Sequence, residues 1–494
     1  MRRLHRRSFL KSTLATAATV TIAGTKSSAK VLGANDTILV GVAGLNGRGG
    51  SHVGAFSGME KVQIAYLIDP DTRTYKKHLA TIAKKGAPEP KCIQDVRKAL
   101  EDKNLDAVTI ATPNHWHSLM TIWACQAGKD VYVEKPCSHN VHEGRIAVET
   151  ARKYKRVVQH GTQSRASAQW ETYRAIAKSG KLGKLLVSRA LCYKPGANWQ
   201  TRGNIGTKPT KMPPSELDFN IWLGPASEQP YHENLVHYRW HWFWDFGNGD
   251  IGNQGVHEMD KARWVIPDAK WPKTVISLGG RFTGPDQGQT PNGMVTVMDF
   301  GGTLLIFETR GQKSKDYLGV NGAQNILHFE EGTIAGGKFY PKGSDKAEDL
   351  PKLGVEPERR PRPVLSTSDR NLAHFGNFID CVRSRKTEEL NAAIEVGHYS
   401  SGLCHLANIS YRTGKDEPFN AKTQAVSGNE FATDALGRMA EYLRDNGVKV
   451  EGTSLHVGRK LEFDAETEKF KNDPEANKLL TRAYRAPFTV PDRA

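Results

Sequence analysis

Between Ile38 and His160 short apolar runs alternate with stretches of helical spacing, and this alternation restricts the fold more than any other feature of the chain. Ile38 to Ala43, Val62 to Ile68, Ala107 to Ala111, Val131 to Val133 and Val157 to Gln159 read as strands. Most are continuous apolar runs, as expected of a parallel sheet covered on both faces. Thr72 to Lys84, His115 to Ala127 and Val141 to Tyr154 have helical spacing, with breaks at Gly86-Ala87-Pro88 and Gly128-Lys129. The pattern predicts a doubly wound, Rossmann-type α/β domain over residues 36–160, with its ligand at the carboxyl ends of the strands.

A chain of 494 residues is too long for one core. After Gly161 a helix at Ser167 to Ser179 and a strand at Leu185 to Cys192 precede a Gly/Pro/Trp-rich stretch from Pro195 to Gly255. β-Type segments follow at Thr274 to Gly279, Met294 to Phe300 and Thr303 to Phe307, then helices at Asn371 to Ser384 and Ala392 to Thr413. Residues 161–415 therefore read as an α+β domain with an open, mainly antiparallel sheet, for binding substrate and for oligomerisation. The polar stretch Gly336 to Pro363 reads as a surface excursion, and residues 416–494 as an extension with helical pieces that packs on the core.

Lys and Arg total 69 against 53 Asp and Glu, a net charge of +16. Part of it is an export address: Arg2, Arg3, Arg6, Arg7 and Lys11 precede a weakly apolar run from Ser12 to Gly24 and the small residues Ser27-Ser28-Ala29. Arg6-Arg7-Ser8-Phe9-Leu10-Lys11 matches the twin-arginine pattern, so residues 1–29 are expected to direct export to the periplasm through the twin-arginine machinery. Cleavage after Ala29 removes six basic residues and no acidic one, leaving +10. That remainder is dispersed and does not call for nucleic acid. A mean hydropathy of −0.54 excludes a polytopic membrane protein. Six scattered cysteines imply neither a disulfide framework nor a zinc site.

The turn after the first strand reads Gly44-Leu45-Asn46-Gly47-Arg48-Gly49. On the dinucleotide pattern G-x-G-x-x-G, Gly44 and Gly49 take the first and third positions and Asn46 the second, with Gly47 one residue on. Asp69 ends the second strand 25 residues after Gly44, where an acid meets the adenosine ribose and repels a 2′-phosphate. NAD is the expected cofactor, while nearby Arg73 keeps NADP open.

Two more segments fall at strand ends, Thr112-Pro113-Asn114-His115-Trp116-His117 and Glu134-Lys135-Pro136. A lysine beside a nicotinamide lowers the pKa of a substrate hydroxyl and relays its proton. In these motifs, in their order and spacing, and in Gly161-Thr162-Gln163-Ser164-Arg165, Trp222-Leu223-Gly224-Pro225, the segment Gly252 to Asp260 and Gly397-His398-Tyr399-Ser400, the chain resembles the Gfo/Idh/MocA oxidoreductases over roughly residues 36 to 415. The resemblance implies a sugar or polyol oxidoreductase, and a homo-oligomer. It makes Lys135 catalytic together with His257, and places Asn253 where many members carry Asp. Asn cannot exchange protons, so the base is His257 or Lys135. Asp250 reads as a helix cap and Asp260 as a surface or ion-pair residue rather than as substitutes. The implied cofactor contacts are Gly44, Asn46, Gly47, Arg48, Gly49, Asp69, Thr112, Pro113, Asn114, His117, Glu134, Lys135 and Gln163. Expected substrate contacts are Arg165, Tyr193, His241 and His257, with Lys194 beside Tyr193.

The pairs His115/His117 and His237/His241 have chelating spacings but no accompanying carboxylate set, and no metal is expected. Trp240, Trp242 and Trp244 read equally as a sugar-stacking wall or as packing under a loop. Three functions compete: hydride transfer with a sugar or polyol, an NAD-dependent glycoside hydrolase working by transient oxidation and elimination, and non-catalytic sugar binding. Export implies a tightly retained cofactor recycled in redox-neutral fashion.

Overall fold

The computed structural model describes residues 36–195, 202–282, 284–357 and 369–494, so the signal read in residues 1–29 lies outside the described residues. Strands β1 (Ile38–Ala43), β2 (Val62–Ile68), β3 (Lys91–Ile93), β4 (Ala107–Ile110), β5 (Asp130–Val133) and β6 (Val158–His160) form a parallel sheet in the order β3-β2-β1-β4-β5-β6. The order reverses at β1 and β4, and the crevice there opens toward the strands' carboxyl ends, the position of a dinucleotide site in such sheets. All five strands expected here match to within a residue at each end, because their side chains are largely buried on both faces. Short, partly exposed β3 carried no such signal. Helix Val141–Lys153 begins where Asn140 accepts a hydrogen bond from the Glu143 amide while the Glu143 carboxylate accepts one from His139 N, a reciprocal cap.

The second sheet has twelve strands in the described residues. Its main path runs β14 (Glu348–Asp349), β13 (Lys338–Pro341), β12 (Gly332–Ala335), β11 (Ala323–Phe329), β7 (Leu185–Tyr193), β10 (Leu304–Arg310), β9 (Gly293–Asp299), β8 (Thr274–Gly280), β16 (Ser454–Val457), β15 (Lys415–Pro418). Strand β17 (Leu461–Asp464) also pairs with β8, and β18 (Lys469–Phe470) with β17. Pairing is antiparallel except between β7 and β10. Alternation along β9 sorts side chains to two cores: Met294 and Met298 face helices Gly255–Val265 and Ile394–Arg412, whereas Val295 and Val297 face the opposite side.

The sheet is open and mainly antiparallel, as expected, and its opposite side is covered. Helix Glu430–Asp445, from the extension, lays Leu436, Met439 and Leu443 against Val187, Ile276, Val297 and Ile306. The extension is also more strand than the sequence suggested, since β15 to β18 are short and β15 is largely exposed. The polar stretch from Gly336 is a correction too, because Lys338–Pro341 pairs with β12 and prolongs the sheet.

Tyr193, expected to touch substrate, instead donates its hydroxyl to Glu308 Oε2 at 2.7 Å beneath this helix. The Glu308 carboxylate also takes Arg189 NH1 at 2.6 Å, Arg438 NH2 at 2.7 Å and Arg310 NH2 at 3.3 Å. Burial pushes this carboxyl up, but Arg438, Arg189 and Arg310 outweigh it and hold it far below the usual carboxylate range. Removing this acid leaves buried Arg189 and Arg438 to half-exposed Asp434, at 3.6 and 3.0 Å, so Glu308→Gln is expected to cost about 3–5 kcal/mol of folding stability. A urea unfolding midpoint unchanged from wild type would refute this.

Farther along, the tail returns to the first domain. Phe488 is buried against Trp116 and Trp123, with ring centroids 5.5 and 6.3 Å away. Arg485 donates to Asn220 O at 2.7 Å and Gly224 O at 3.1 Å, pinning helix Phe219–Leu223 over the Rossmann domain.

Candidate active site

A cavity of about 450 Å³ runs from the β1 turn to helix Gly255–Val265. Its first wall is the glycine loop. Gly44 has φ +83°, and a Cβ there would lie 2.5 Å from Ala111 C and Thr112 N. A Cβ on Gly49 would lie 1.8 Å from Gly44 O, whereas Gly47 faces open space. The first and third glycines are thus sterically required. The second position tolerates Asn46, which lines the cavity beside Gly47 and Arg48. This bare backbone at the start of helix Gly49–Phe56, a helix with no acidic residue in its first turn, fits a pyrophosphate. Gly44→Ala is expected to strain the turn by about 1–3 kcal/mol and weaken NAD binding about tenfold or more, as isothermal titration would read. Unchanged affinity would remove the loop from the cofactor site.

Asp69 braces the loop, accepting from Leu45 N at 2.7 Å and Asp71 N at 2.9 Å. Burial pushes its carboxyl up to about 6. Arg73, the residue that kept NADP open, forks onto the Asp71 carboxylate through Nε at 2.8 Å and NH2 at 2.6 Å. Asp71 also holds His237 Nε2 at 2.8 Å. The sequence reading overlooked Asp71, and its two-residue offset from Asp69 was the available clue.

The catalytic end of the cavity gathers Lys135, Asn253, His257 and His241. Lys135 Nζ donates to the Asn253 carbonyl at 2.5 Å and reaches its Oδ1 at 3.4 Å. Burial pushes Lys135 down to about 8, with Glu134 opposing and Lys194 reinforcing the shift. His257 lies well below its ordinary value through burial and the Lys135 charge, and is neutral at pH 7. Glu134 accepts from Arg48 Nε at 2.8 Å, pairs with His52 Nε2 at 3.1 Å and takes Gln163 Nε2 at 3.3 Å. Burial raises that carboxyl, but Arg48, His52 and Lys135 outweigh it, leaving a firm anion beside the lysine.

Thr112, Pro113, Asn114 and His117 also line the cavity. Both His117 ring nitrogens face carbonyl oxygens, Thr112 O at 2.8 Å and Pro136 O at 2.6 Å, tying the two motifs together. Asn114 donates to Asn248 Oδ1 at 3.3 Å. His115 Nε2 meets Trp222 O at 3.0 Å, so neither histidine of this pair is placed to chelate. Among the described residues no group of three or more His, Cys, Asp or Glu is arranged to hold a metal.

Two substrate assignments are corrected. Arg165 forks onto Asp260 at 2.8 and 2.9 Å, and its guanidinium lies 4.4 Å from the Trp264 ring centre, so the group is spent in a buried pair outside the cavity. Tyr193 is buried in the Glu308 cluster. Asp250 is no cap either: it sits in the first turn of helix Gly249–Asn253 and pairs with Arg202 Nε at 2.6 Å. Lys194 Nζ donates to Gln254 Oε1 at 2.7 Å. Of the three tryptophans, Trp240 lines the cavity, Trp242 is buried in the loop core, and Trp244 lies 5.0 Å from the Arg412 guanidinium carbon. Ile221, Tyr238 and Asn371 join the cavity wall with no local sequence signal, and Trp222 was marked only by the family resemblance. They arrive from loops and helix starts far along the chain.

A Rossmann sheet with a glycine cradle, joined to a second domain that brings a histidine to a strand-end lysine, defines a nicotinamide-dependent oxidoreductase. A family model described as "Oxidoreductase family, NAD-binding Rossmann fold" matches residues 38–162, and one described as "Oxidoreductase family, C-terminal alpha/beta domain" matches residues 168–290. Together they span half of the chain, which belongs to the Gfo/Idh/MocA oxidoreductase family and carries an NAD-binding domain.

A glycosyl hydrolase family 109 protein of Shewanella pealeana is 31% identical over 122 residues, 24% of this chain and 27% of that protein. One from Shewanella putrefaciens is 30% identical over 174 residues, 31% and 38% of the two chains. The matches thus span well under half the length of these relatives. The WlbA dehydrogenase from Bordetella pertussis, solved with NADH and UDP-GlcNAcA, shares the fold with a TM-score of 0.53 at 15% identity, covering 76% of this chain and 97% of the other. Levoglucosan dehydrogenase, solved with NADH and levoglucosan, gives 0.54 at 15% identity over 75% and 96%.

Proposed function

We propose that the protein oxidises a hydroxyl of a sugar or polyol by hydride transfer, with tightly held NAD. The observation that carries this reading is one cavity holding both the glycine cradle and the Lys135–Asn253–His257 group. NAD, when bound, supplies the hydride acceptor. The Gly44–Gly49 backbone would hold its pyrophosphate and Asp69 would meet its ribose, while Arg73 is engaged by Asp71, which favours NAD over NADP. Neutral His257 takes the hydroxyl proton. Charged Lys135 donates to the same oxygen and steadies the developing alkoxide. Asn253 holds Lys135 through its backbone carbonyl and exchanges no proton itself.

The glycosyl hydrolase family 109 relatives favour a second reading, in which oxidation is transient and a glycosidic bond is eliminated before the hydride returns. Export through the twin-arginine route, supported by Arg6-Arg7-Ser8-Phe9-Leu10-Lys11, would demand such redox-neutral cycling or a second sugar as acceptor. The test is to purify the exported protein, extract its nucleotide and assay turnover without added NAD. Aglycone release from a glycoside favours the hydrolase, and a ketose or lactone formed with a reduced second sugar favours the oxidoreductase. A protein with neither bound nucleotide nor NAD affinity rejects both.

A further inference from the structure

The excess positive charge, dispersed when read over the whole chain, has one concentration. Between Arg73 and Lys91 six Lys and Arg stand against a single acid, Glu89, a net +5 that is half of the +10 expected after cleavage. All six are exposed. Arg73, Lys77 and Lys84, spaced four and seven residues apart, fall on one face of helix Tyr75–Ala83 and its two flanks. Arg73 is engaged by Asp71, and Lys85 donates to Gly54 O at 2.6 Å. Lys76, Lys77 and Lys84 have no ion pair or side-chain hydrogen bond among the described residues. Like charges held together on one short helix repel one another, and an anion on that face relieves the repulsion.

This face borders a groove. A second cavity, of about 580 Å³, lies between the start of the helix, with Arg73, Thr74 and Lys77, and a segment of the second domain with Lys211, Tyr231 and His237. Asn46 and His237 line it and the main cavity alike, so the two adjoin. Lys211 pairs with Glu233, which leaves the helix as the cationic wall. Apolar exposure collects at the same rim. Two of the three most exposed large apolar side chains among the described residues are Met212, at 85%, next to Lys211, and Tyr238, at 51%, next to His237.

Carboxylates answer the lysines, and exposed apolar side chains answer the C–H faces of sugar rings. A single nucleic-acid strand would need aromatic rings interleaved with the cations. From Arg73 to Lys91 the rings are Tyr75, half-buried with its hydroxyl on Asp69 O at 2.7 Å, and buried His78. We propose that the groove and the basic face of Tyr75–Ala83 bind an acidic glycan, a carbohydrate chain bearing carboxylates. Its anions meet Lys76, Lys77 and Lys84, and its apolar ring faces lie on Met212 and Tyr238 at the edge of the main cavity. This rests on the sugar reading above and names the class of sugar polymer brought to that site.

The probe is fluorescein-labelled polygalacturonate, with dextran of matched length and single-stranded DNA of matched charge beside it, read by anisotropy on the NAD-loaded protein at about 0.15 M salt. Wild type is expected to bind polygalacturonate about tenfold more tightly than either. Lys76→Gln, Lys77→Gln and Lys84→Gln combined are expected to lose about 30-fold of that affinity. Lys469→Gln, Lys471→Gln and Lys478→Gln, which remove the same charge from exposed lysines of the tail, are expected to lose less than about threefold. Equal losses in the two triple variants, dextran bound as well as polygalacturonate, or DNA bound more tightly than polygalacturonate overturns the proposal. The Lys76/Lys77/Lys84 variant should oxidise a small sugar at the wild-type rate, which separates polymer binding from chemistry. The sugar reading itself fails if wild type reduces its NAD with no member of a panel of methyl pyranosides, read at 340 nm.

Discussion

Lys135→Ala is expected to lower sugar oxidation about 1000-fold while leaving NAD affinity within a few fold. The side chain hydrogen-bonds Asn253 rather than the glycine loop that fits the pyrophosphate. The loss should therefore fall on kcat. Single-turnover reduction of bound NAD, followed at 340 nm, measures it, and a variant within tenfold of wild type removes Lys135 from the chemistry. The pH profile carries a second signature. With Lys135 pushed down to about 8 by burial, its charged form falls off as pH rises through that value, and oxidation should decline with it. That descending limb should vanish in Lys135→Ala.

The second large effect is acid unfolding. Six buried histidines, His115, His160, His241, His328, His374 and His405, are pushed by burial down to about 3 or 4. An unfolded chain protonates them near 6.5, so it binds more protons than the native state below that pH, and stability falls as pH drops. Each contributes a loss of about 2 kcal/mol by pH 5. Two buried carboxyls act oppositely: Asp69, raised to about 6, and Glu143, raised to about 7, take up protons in the folded state first and so gain stability as pH falls. The histidines outnumber them, leaving a net loss of roughly 8 kcal/mol at pH 5, comparable with the whole stability of a typical domain. Thermal unfolding between pH 7.5 and 5 should show the melting temperature collapsing, and a flat profile would sink the account.

Legibility in the sequence followed the range of the interactions. Strands β1 and β2 were readable because burial on both faces leaves continuous apolar runs, and helix Asn114–Gln126 because Pro113 and Gly128 bound it. Gly44, Asp69 and Lys135 stood out because a local turn or strand end fixes each in register with a known chemistry, and His257, on helix Gly255–Val265, through the family resemblance. Arg165 and Tyr193 misled, since their partners Asp260 and Glu308 lie 95 and 115 residues away and nothing local announces them. Likewise Tyr238 owes its place to a loop path that no periodicity encodes. The covering of the sheet by Glu430–Asp445 was hidden for a related reason, because an amphipathic helix shows that it has a buried face but not which surface receives it.

The clasp made by Arg485 and Phe488 gives the cofactor site a history. The helix it pins, Phe219–Leu223, forms part of the cavity wall through Ile221 and Trp222, and more than 250 residues are synthesised between that helix and the clasp. During translation the nucleotide crevice therefore exists as an unfastened pocket, complete in its glycine cradle and still open along one flank. A protein refolded from denaturant without NAD is therefore expected to hold less nucleotide than one matured with it, as extraction would read, and equal content would refute a role for the clasp.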